Sequence, residues 1–331
     1  MEGIRFLERQ CALLVIVTGQ VGQDGGDYDA GTRSYIRLLG EINCRIAAMA
    51  EETVEVVVGI PCILSGKEVD MNGFYSLLIA VSMYSKVPVP SVNWSRERMG
   101  YVMCWFPVVG VICGIALFIW VKVGDILRLS PEMTGIVASV VPILVTGGIH
   151  MDGFLDTCDA LSSYGEREKK LEILKDPHVG AFGVIACGLY LLICAGVMCE
   201  LAGRGRLLLA APAFVMERAF SGLSVVFFPC AKNSGLAATF SDGAKRKAAA
   251  VCLAMWLTAS FLLAFWVGRE TGNGLAFAVG LLAVQGAVFF WYRYKSRKEF
   301  GGITGDLAGW FLQLCEGASL WWILAFSCFP G

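Results

Sequence analysis

Three aspartates stand at helical spacing in the most polar stretch of this chain. Asp152, Asp156 and Asp159 belong to GGIHMDGFLDTCDALSSYGEREKKLEILKDPHVGAFG, residues 147–183. On a helix that turns about 100° per residue they cover an arc of about 60°, so the three carboxylates share one face. Carboxylates this close repel one another unless a cation lies between them, and oxygen ligands suit Mg²⁺ that also binds phosphates. The spacing predicts a Mg²⁺ site, with a solvated helix face as the alternative.

Both histidines of the chain lie in the same stretch. His150 falls about 160° from the centre of the acidic face, which favours a structural role or a substrate contact over a fourth metal ligand, with a general base as a further alternative. Lys175 and His178 flank the turn that Pro177 favours after Asp176. Near glycines that permit close backbone approach, they suit an anionic substrate, unless the segment is an ordinary lysine-bearing juxtamembrane loop.

Two further groups of polar residues fall next to or within apolar stretches. The motif GGITGD at 301–306 begins the last stretch, where free backbone N–H groups at a helix start would favour phosphate. Glu217 with Arg218, and Glu316, lie inside such stretches. They are expensive there unless they face a polar interior or one another, so each is either a functional residue or part of a structural ion pair between helices.

The elements that position these residues are apolar. Of the 331 residues 56% are hydrophobic and 17% are charged, against roughly 45–50% and about 25% in soluble domains. The net charge of −1 offers no basic surface for nucleic acid. We expect an all-α polytopic membrane protein with about seven transmembrane helices, after one interfacial or re-entrant helix within 73–90. The stretches near membrane-spanning length are 101–121, 133–149, 181–202, 207–229, 248–268, 274–292 and 308–328.

The distribution of lysine and arginine predicts the orientation. Fourteen of them fall in connections on one side, within 96–98, 167–175, 232–247 and 293–298, and five fall on the other side. Because cytoplasmic connections carry the excess of positive charge, the first side is expected in the cytoplasm. The acidic face and GGITGD are on that side, so these candidate site residues are predicted to face the cytoplasm.

The first 70 residues have a different pattern. An apolar run at 12–17 and another at 54–60 are typical of strands, and apolar residues recur at helical spacing from 36 to 49. This predicts a small β-loop-α-β fragment, which is short for a core of its own. The expected domains are therefore residues 1–70, an α/β fragment, and residues 71–331, a membrane domain.

Five motifs of the membrane domain stand in an order known from one family. From about residue 73 to 328 the chain resembles the adenosylcobinamide-GDP ribazoletransferases, also called cobalamin synthases. The combination of a GGxHxDGxxDTxDA block with KDxxxGxxG and GGxTGD is highly specific. The motifs are FYSLLIAVSMYSKVPVP (74–90), GGIHMDGFLDTCDAL (147–161), EILKDPHVGAFG (172–183), MERAFSGLSVVFFPCAKNSGLAATF (216–240) and GGITGD (301–306).

This resemblance implies a reaction. α-Ribazole, or its 5′-phosphate, attacks the cobinamide-bound phosphorus of adenosylcobinamide-GDP, and GMP leaves. Other enzymes of the cobalamin pathway and a second copy of the chain are conceivable partners, besides the bilayer. The roles implied are Mg²⁺ ligation by Asp152, Asp156 and Asp159, catalysis by Asp152, Asp156 and His150, and substrate binding by Lys175, Asp176, His178, Arg218, Thr304 and Asp306.

The N-terminal fragment resembles a second enzyme. Residues 13–67 are similar to the C-terminal third of adenosylcobinamide kinase/guanylyltransferase. No GxxxxGK[ST] occurs in the chain: Gly66 and Lys67 are followed by Glu68, and Pro61 stands where the motif needs glycine. Without this phosphate-binding loop residues 1–70 are expected to be a remnant, either a fused degenerate domain or a truncated gene start.

Three other functions are compatible with part of the pattern. A transporter would place its polar residues near the bilayer midplane, often in repeated halves, whereas the motifs here lie at one edge. A CDP-alcohol phosphotransferase would need Ala-Arg where Asp156 and Thr157 follow Asp152-Gly153. An inactive, scaffold-like fusion is the third alternative.

Overall fold

The computed structural model describes residues 29–50, 52–57, 60–66, 72–231 and 246–328, together with positions 4, 10, 11 and 14–18. Its internal contacts divide the chain into two compact units, Met1–Met71 and Asn72–Gly331. We describe each unit by itself.

The first unit contains one helix and one hairpin. Helix α1 (Ala30–Ala47) begins after Asp29, whose carboxylate accepts hydrogen bonds of 2.9 Å from the backbone N–H and the hydroxyl of Thr32. None of the residues of α1 is buried. Strands β1 (Glu52–Val57) and β2 (Ile60–Gly66) pair antiparallel.

This arrangement corrects the predicted β-loop-α-β fragment. Residues 14–18 lack regular secondary structure, and Val15 and Val17 are exposed, so the strand predicted at 12–17 is wrong for the described part of that run. The reason is that β1 pairs with β2 instead of with the run at 12–17. Only two residues separate β1 from β2, and closing so short a loop loses less entropy than pairing distant segments. The derivation of residues 1–70 from a kinase/guanylyltransferase stays a prediction.

The second unit is helical in its described residues. A parallel bridge between Cys230 and Ile303 is the one β-type pairing found in the part of this unit that the structure describes. Short 3₁₀ turns occupy Leu207–Ala210 and Arg269–Thr271, and a π-helical turn occupies Ser296–Phe300. The helices are α2 (Asn72–Tyr84), α3 (Arg96–Met99), α4 (Val102–Leu127), α5 (Pro131–Thr146), α6 (Ile149–Ser162), α7 (Arg167–Ile173), α8 (Ala181–Gly203), α9 (Ala211–Phe227), α10 (Arg246–Gly268), α11 (Gly274–Lys295) and α12 (Gly305–Cys328).

The expected number of membrane crossings is confirmed. Within the described ranges, six helices, α4 and α8 to α12 with their adjoining turns, are long and apolar enough to cross a membrane. Neither α5 nor α6 passes this test alone; they pass as a pair bent by 96°, which gives up to seven crossings. The predicted span 133–149 corresponds to α5 and the bend after it. Helix α2 ends at Tyr84, before Lys86 and the prolines.

Helix α9 lies at the centre of the bundle. Of its apolar window 83% is buried, against 22–50% for the other five spans. Glycine permits the close helix crossings: a Cβ at Gly110 of α4 would collide with the backbone of Phe214, and one at Gly135 of α5 would collide with the backbone of Cys199. Small residues at such crossings let helices pack closely in lipid. The glycines therefore let the central helices of the bundle pack closely against their neighbours.

Candidate active site

A sharp bend starts the acidic helix α6. Gly147 and Gly148 have φ of +65° and +82°, a region that favours glycine, and they turn the chain from α5 into α6. The backbone N–H of Lys86 donates to the carbonyl of Val145 at 2.8 Å, and the aliphatic part of the Lys86 side chain fills the space beside Gly147. No sequence pattern indicates this contact of Lys86.

The three aspartates lie on α6 as the periodicity predicts. Asp152 is exposed, and Asp156 and Asp159 are half-buried. A fourth carboxylate, that of Asp306, enters from the first turn of α12. The backbones are close here, because a Cβ at Gly153 would be 2.6 Å from the carbonyl oxygen of Asp306. We call Asp152, Asp156, Asp159 and Asp306 the acidic cluster.

The electrostatics of Asp156 reflect this crowding. Helix α6 lies outside the six spans. Partial burial, followed by the negative charges of Asp152, Asp306 and Asp159, raises the pKa of Asp156 to about 6 from an ordinary 3.8. Burial and like charges both disfavour the ionised form. Asp156 is thus surrounded by negative charge from the described residues of the cluster.

The start of α12 joins the cluster. The Thr304 hydroxyl accepts a hydrogen bond of 3.2 Å from the N–H of Leu307 and caps the helix, and it lies 3.5 Å from a carboxylate oxygen of Asp306. The structure therefore brings Thr304 and Asp306 to the acidic face, as sequence position alone could not show. The other N–H groups of this first turn are the kind that bind anions.

The loop before α8 packs against the same helix. A Cβ at Gly180 would collide with the Asp159 carboxylate, and one at Gly183 would be 2.7 Å from the carbonyl oxygen of Leu155. Upstream, Asp176 accepts hydrogen bonds from the N–H of His178 at 3.0 Å and from its Nδ1 at 2.7 Å. These bonds, the backbone one foremost, lower the pKa of Asp176.

Lys175, Asp176 and His178 are all exposed. The His178 side chain is 89% exposed, so it is accessible to a ligand. The loop that carries the three residues is thus anchored to α6 through Gly180. Their assignment to substrate binding stays a prediction.

His150 lies away from the acidic face. It is buried, and its ring stacks on Tyr84 at 6.2 Å and meets Phe106 edge-on at 5.8 Å. Its backbone is where α6 and α12 cross, because a Cβ at Gly309 would be 2.8 Å from the His150 carbonyl oxygen. This place agrees with the structural alternative, and a catalytic role for His150 stays a prediction.

Arg218 is enclosed in the bundle rather than open to a substrate. On α9, its guanidinium donates to Glu217 at 2.7 Å and to the carbonyl of Phe214 at 2.9 Å, and both charged side chains are 1% exposed. Glu316 of α12 accepts a hydrogen bond of 3.3 Å from Tyr190. We call Glu217, Arg218 and Glu316 the interior cluster. Substrate binding by Arg218 stays a prediction. Its ion pair with Glu217 is formed within α9 and not between helices.

A complete metal cage is not formed by the side chains. Among the residues that the structure describes, no three His, Cys, Asp or Glu side chains are grouped so as to hold a metal ion. Asp159 lies against Gly180, so sharing a helix face does not bring all three aspartates to one point. Mg²⁺ binding by Asp152, Asp156 and Asp159 therefore stays a prediction.

One set of positioning residues was missed. Arg167 of α7 donates through Nε to the carbonyl of Phe300 at 2.8 Å, and its guanidinium lies where a Cβ of Gly301 would be. The buried Lys170 donates to Glu299 at 2.5 Å. We call these contacts the α7 clamp. The only signal in the sequence was a charged helical segment, which periodicity assigns to solvent.

A short backbone pairing holds the other side of GGITGD. Ile303 donates to the carbonyl of Pro229, and Ala231 donates to the carbonyl of Ile303, both at 2.9 Å. Residues 232–240 of the fourth motif lie outside the described residues. The glycine-rich loop is thus held between α7 and the end of α9.

Fold and site together define a polytopic helical membrane protein with an acidic site where two of its spans begin. The comparisons identify the family. A family model described as cobalamin-5-phosphate synthase matches residues 76–324, and the chain belongs to this family. It is an enzyme of cobalamin biosynthesis, and the resemblance of the membrane domain is confirmed.

Curated relatives agree with this family. A protein from Lachnoclostridium phytofermentans named adenosylcobinamide-GDP ribazoletransferase is 40% identical over 74% of this chain and 92% of its own length. Proteins of the same name from Brevibacillus brevis and Clostridium perfringens are each 32% identical, over 76% and 74% of this chain and 100% and 96% of their own lengths. No solved structure matches the chain.

Proposed function

We propose that this enzyme transfers the adenosylcobinamide phosphate moiety of adenosylcobinamide-GDP to α-ribazole or its 5′-phosphate and releases GMP. The substrates follow from the names of its relatives. The observation that carries the proposal is the acidic cluster, in which Asp156 is surrounded by the charges of three other carboxylates beside the start of α12. Phosphoryl transfer requires mainly positioning and charge neutralisation from a protein.

The donor set fits Mg²⁺. All its donors are carboxylate oxygens, and the raised pKa of Asp156 marks an excess of negative charge that a divalent cation would relieve. Mg²⁺ commonly takes only one or two carboxylates and completes its shell with water and substrate phosphates, so a cage of three side chains is not required. Asp152 and Asp156 would hold the ion, with Asp159 beside them. The ion would neutralise the diphosphate.

The remaining residues orient the substrate. The capped first turn of α12 would offer backbone N–H groups to phosphate oxygens, and the exposed Lys175 would add a positive charge from the neighbouring loop. The α7 clamp would hold the glycine-rich loop in register with α6. A cytoplasm-facing site in the inner membrane is part of the proposal, supported by the asymmetry of lysine and arginine.

The test is product formation in membranes that contain the full chain. Adenosylcobinamide-GDP, α-ribazole and Mg²⁺ are added, and GMP and cobalamin are measured by chromatography, with the 5′-phosphate in a parallel reaction. We expect turnover that EDTA abolishes. Asp152→Ala and Asp156→Ala should each lose about a hundredfold or more, because one lost charge contact in a phosphoryl-transfer site is worth several kcal/mol.

The matched control is Asp125→Ala. Asp125 is an exposed carboxylate at the end of α4 that pairs with Lys122 at 3.4 Å, so its loss should leave turnover unchanged. Full activity of both Asp152→Ala and Asp156→Ala, or turnover that ignores EDTA, would remove the metal assignment. Absence of GMP with every acceptor would remove the proposed reaction.

A further inference from the structure

An open groove of about 450 Å³ lies at the end of α11, apart from the acidic cluster. Phe290, Arg293, Tyr294, Arg297 and Lys298 line it. These residues recur at spacings of three and four and so share one helix face. The groove continues onto the π-helical turn Ser296–Phe300, a distortion that is frequent at functional sites.

The described residues give the groove three positive charges and no ion-pair partner for them. Arg293, Arg297 and Lys298 take part in no ion pair within the portion of the chain that the structure describes. The nearby Glu299 is engaged by Lys170 and Lys295. An anion is therefore the complementary ligand.

Aromatic rings hold two of the three cations in place. The guanidinium of Arg293 lies 5.3 Å from the centre of the Phe228 ring, and Nζ of Lys298 lies 5.7 Å from that of Tyr294. Such contacts attract a cation to the ring face and leave its other side open to an anion. By contrast, the exposed Lys169 of α7 is paired, with Glu172 at 3.0 Å.

An exposed apolar stripe leads along α11 into the groove. It runs from Leu275 and Val279 through small alanines to Phe290 and Tyr294, whose exposed fractions are 66% and 58%. Because α11 belongs to a candidate span, this stripe faces hydrocarbon in a membrane. A ligand suited to both parts has an apolar tail and a negatively charged head.

We propose that this groove binds the phosphate of an anionic phospholipid, with an acyl chain along the stripe of α11. The three cations would bind the phosphate of a lipid or of a soluble compound. Only a lipid also has an acyl chain that can lie along the stripe. Basic sites at the ends of spans are suited to anionic head groups. The site would bind anionic lipids in preference to zwitterionic lipids of the same leaflet. This preference would not depend on the reaction at the acidic cluster.

The test is lipid binding to the purified full chain in an uncharged detergent, followed by native mass spectrometry. The probes are dioleoyl phosphatidylglycerol, dioleoyl phosphatidylcholine and glycerol 1-phosphate, the last carrying the phosphate without chains. We expect phosphatidylglycerol to bind about a hundredfold more tightly than phosphatidylcholine, the effect of three surface cations. This preference should shrink as the salt concentration rises, because salt screens exposed charges.

The variant Arg297→Gln/Lys298→Gln removes two cations and leaves the Arg293–Phe228 contact in place. Its affinity for phosphatidylglycerol should fall about thirtyfold, the effect of two surface cations, while phosphatidylcholine binding is unchanged. Lys169→Gln, which removes an exposed cation outside the groove, is the control and should keep the preference.

Three results would overturn the proposal. They are equal binding of both lipids to the wild type, an unchanged lipid preference in the double variant, and binding of glycerol 1-phosphate as tight as that of phosphatidylglycerol, which would make the ligand a soluble phosphate. The salt series uses only the wild type and does not depend on the variant folding. Since turnover is not measured, failure of the proposed reaction leaves this test intact.

Discussion

The membrane domain contains two groups of charged residues that differ in composition and surroundings. The interior cluster has an arginine, Arg218, among its carboxylates and is almost completely enclosed. The acidic cluster has four carboxylates. Glycines let the starts of α8 and α12 lie close to them. One group neutralises much of its own charge, whereas the other has an excess.

This difference indicates different roles, with the interior cluster supporting the fold and the acidic cluster binding a ligand. Glu217 and Arg218 are paired within α9, and losing one partner leaves the other charge buried without compensation. A crowd of like charges raises the free energy of the folded protein unless a ligand relieves it. Variants of the interior cluster should therefore lower stability, and variants of the acidic cluster should lower activity.

The largest effect on stability is expected for Arg218→Met. It leaves Glu217 buried without its partner, which costs about 3–5 kcal/mol when a buried pair is broken. The thermal unfolding midpoint of the detergent-solubilised protein measures this loss. Glu217→Gln/Arg218→Met should recover much of it, because no unpaired charge remains. If the double variant were as unstable as the single one, packing rather than charge would explain the interior cluster.

The variant Gly153→Ala tests whether activity depends on the close crossing of α6 and α12 at the acidic cluster. The new methyl group would be 2.6 Å from the Asp306 carbonyl oxygen and 2.8 Å from its Cα, and both atoms belong to backbone. We expect a loss of about 1–3 kcal/mol from overpacking and a larger fractional loss of product formation, because α12 must shift relative to α6. Gly188→Ala on α8, where nothing lies within 4 Å, is the control. Equal effects of the two changes would contradict the close crossing.

Sequence reasoning was accurate where a local pattern decides the outcome. The 3.6-residue period placed Asp152, Asp156 and Asp159 on one helix face, and apolar length predicted the spans. Contacts between distant segments leave no such signal: nothing near Asp306 indicates that Gly153 lies against it. The run at 12–17 failed for the same reason, because a strand needs a partner and β1 pairs with β2.

A smaller effect on activity is expected when the α7 clamp is broken. Lys170→Met or Glu299→Gln removes the contact between α7 and the turn before GGITGD. We expect about a tenfold fall in kcat/KM, since small displacements of positioned groups slow a reaction. The exchanged pair Lys170→Glu/Glu299→Lys should restore part of the activity, because it re-forms an ion pair between α7 and the turn.

Lys169→Met is the matched control for the clamp. Lys169 is exposed and pairs with Glu172 within the same helix, so the change should have little effect on kcat/KM. If Lys170→Met behaved like Lys169→Met, the clamp would not position the loop. Comparison of the two lysines thus shows whether the contact of Lys170 with Glu299 supports activity, or whether any positive charge on α7 has the same effect.

The smallest effect concerns the loop that carries the predicted substrate residues. Hydrogen bonds from His178 hold the pKa of Asp176 below its ordinary 3.8, so the ionised carboxylate favours the folded loop above that pH, and the benefit is lost as pH falls through the lowered pKa. Asp176→Asn imitates the protonated form. Hydrogen exchange over residues 174–180 should be faster in the variant than in the wild type at about pH 6, and the difference should be smaller at about pH 2, because more of the wild-type carboxyl is protonated as the pH falls. Equal exchange at both pH values would show that the Asp176 charge does not hold the loop and would leave Gly180 as its anchor to α6.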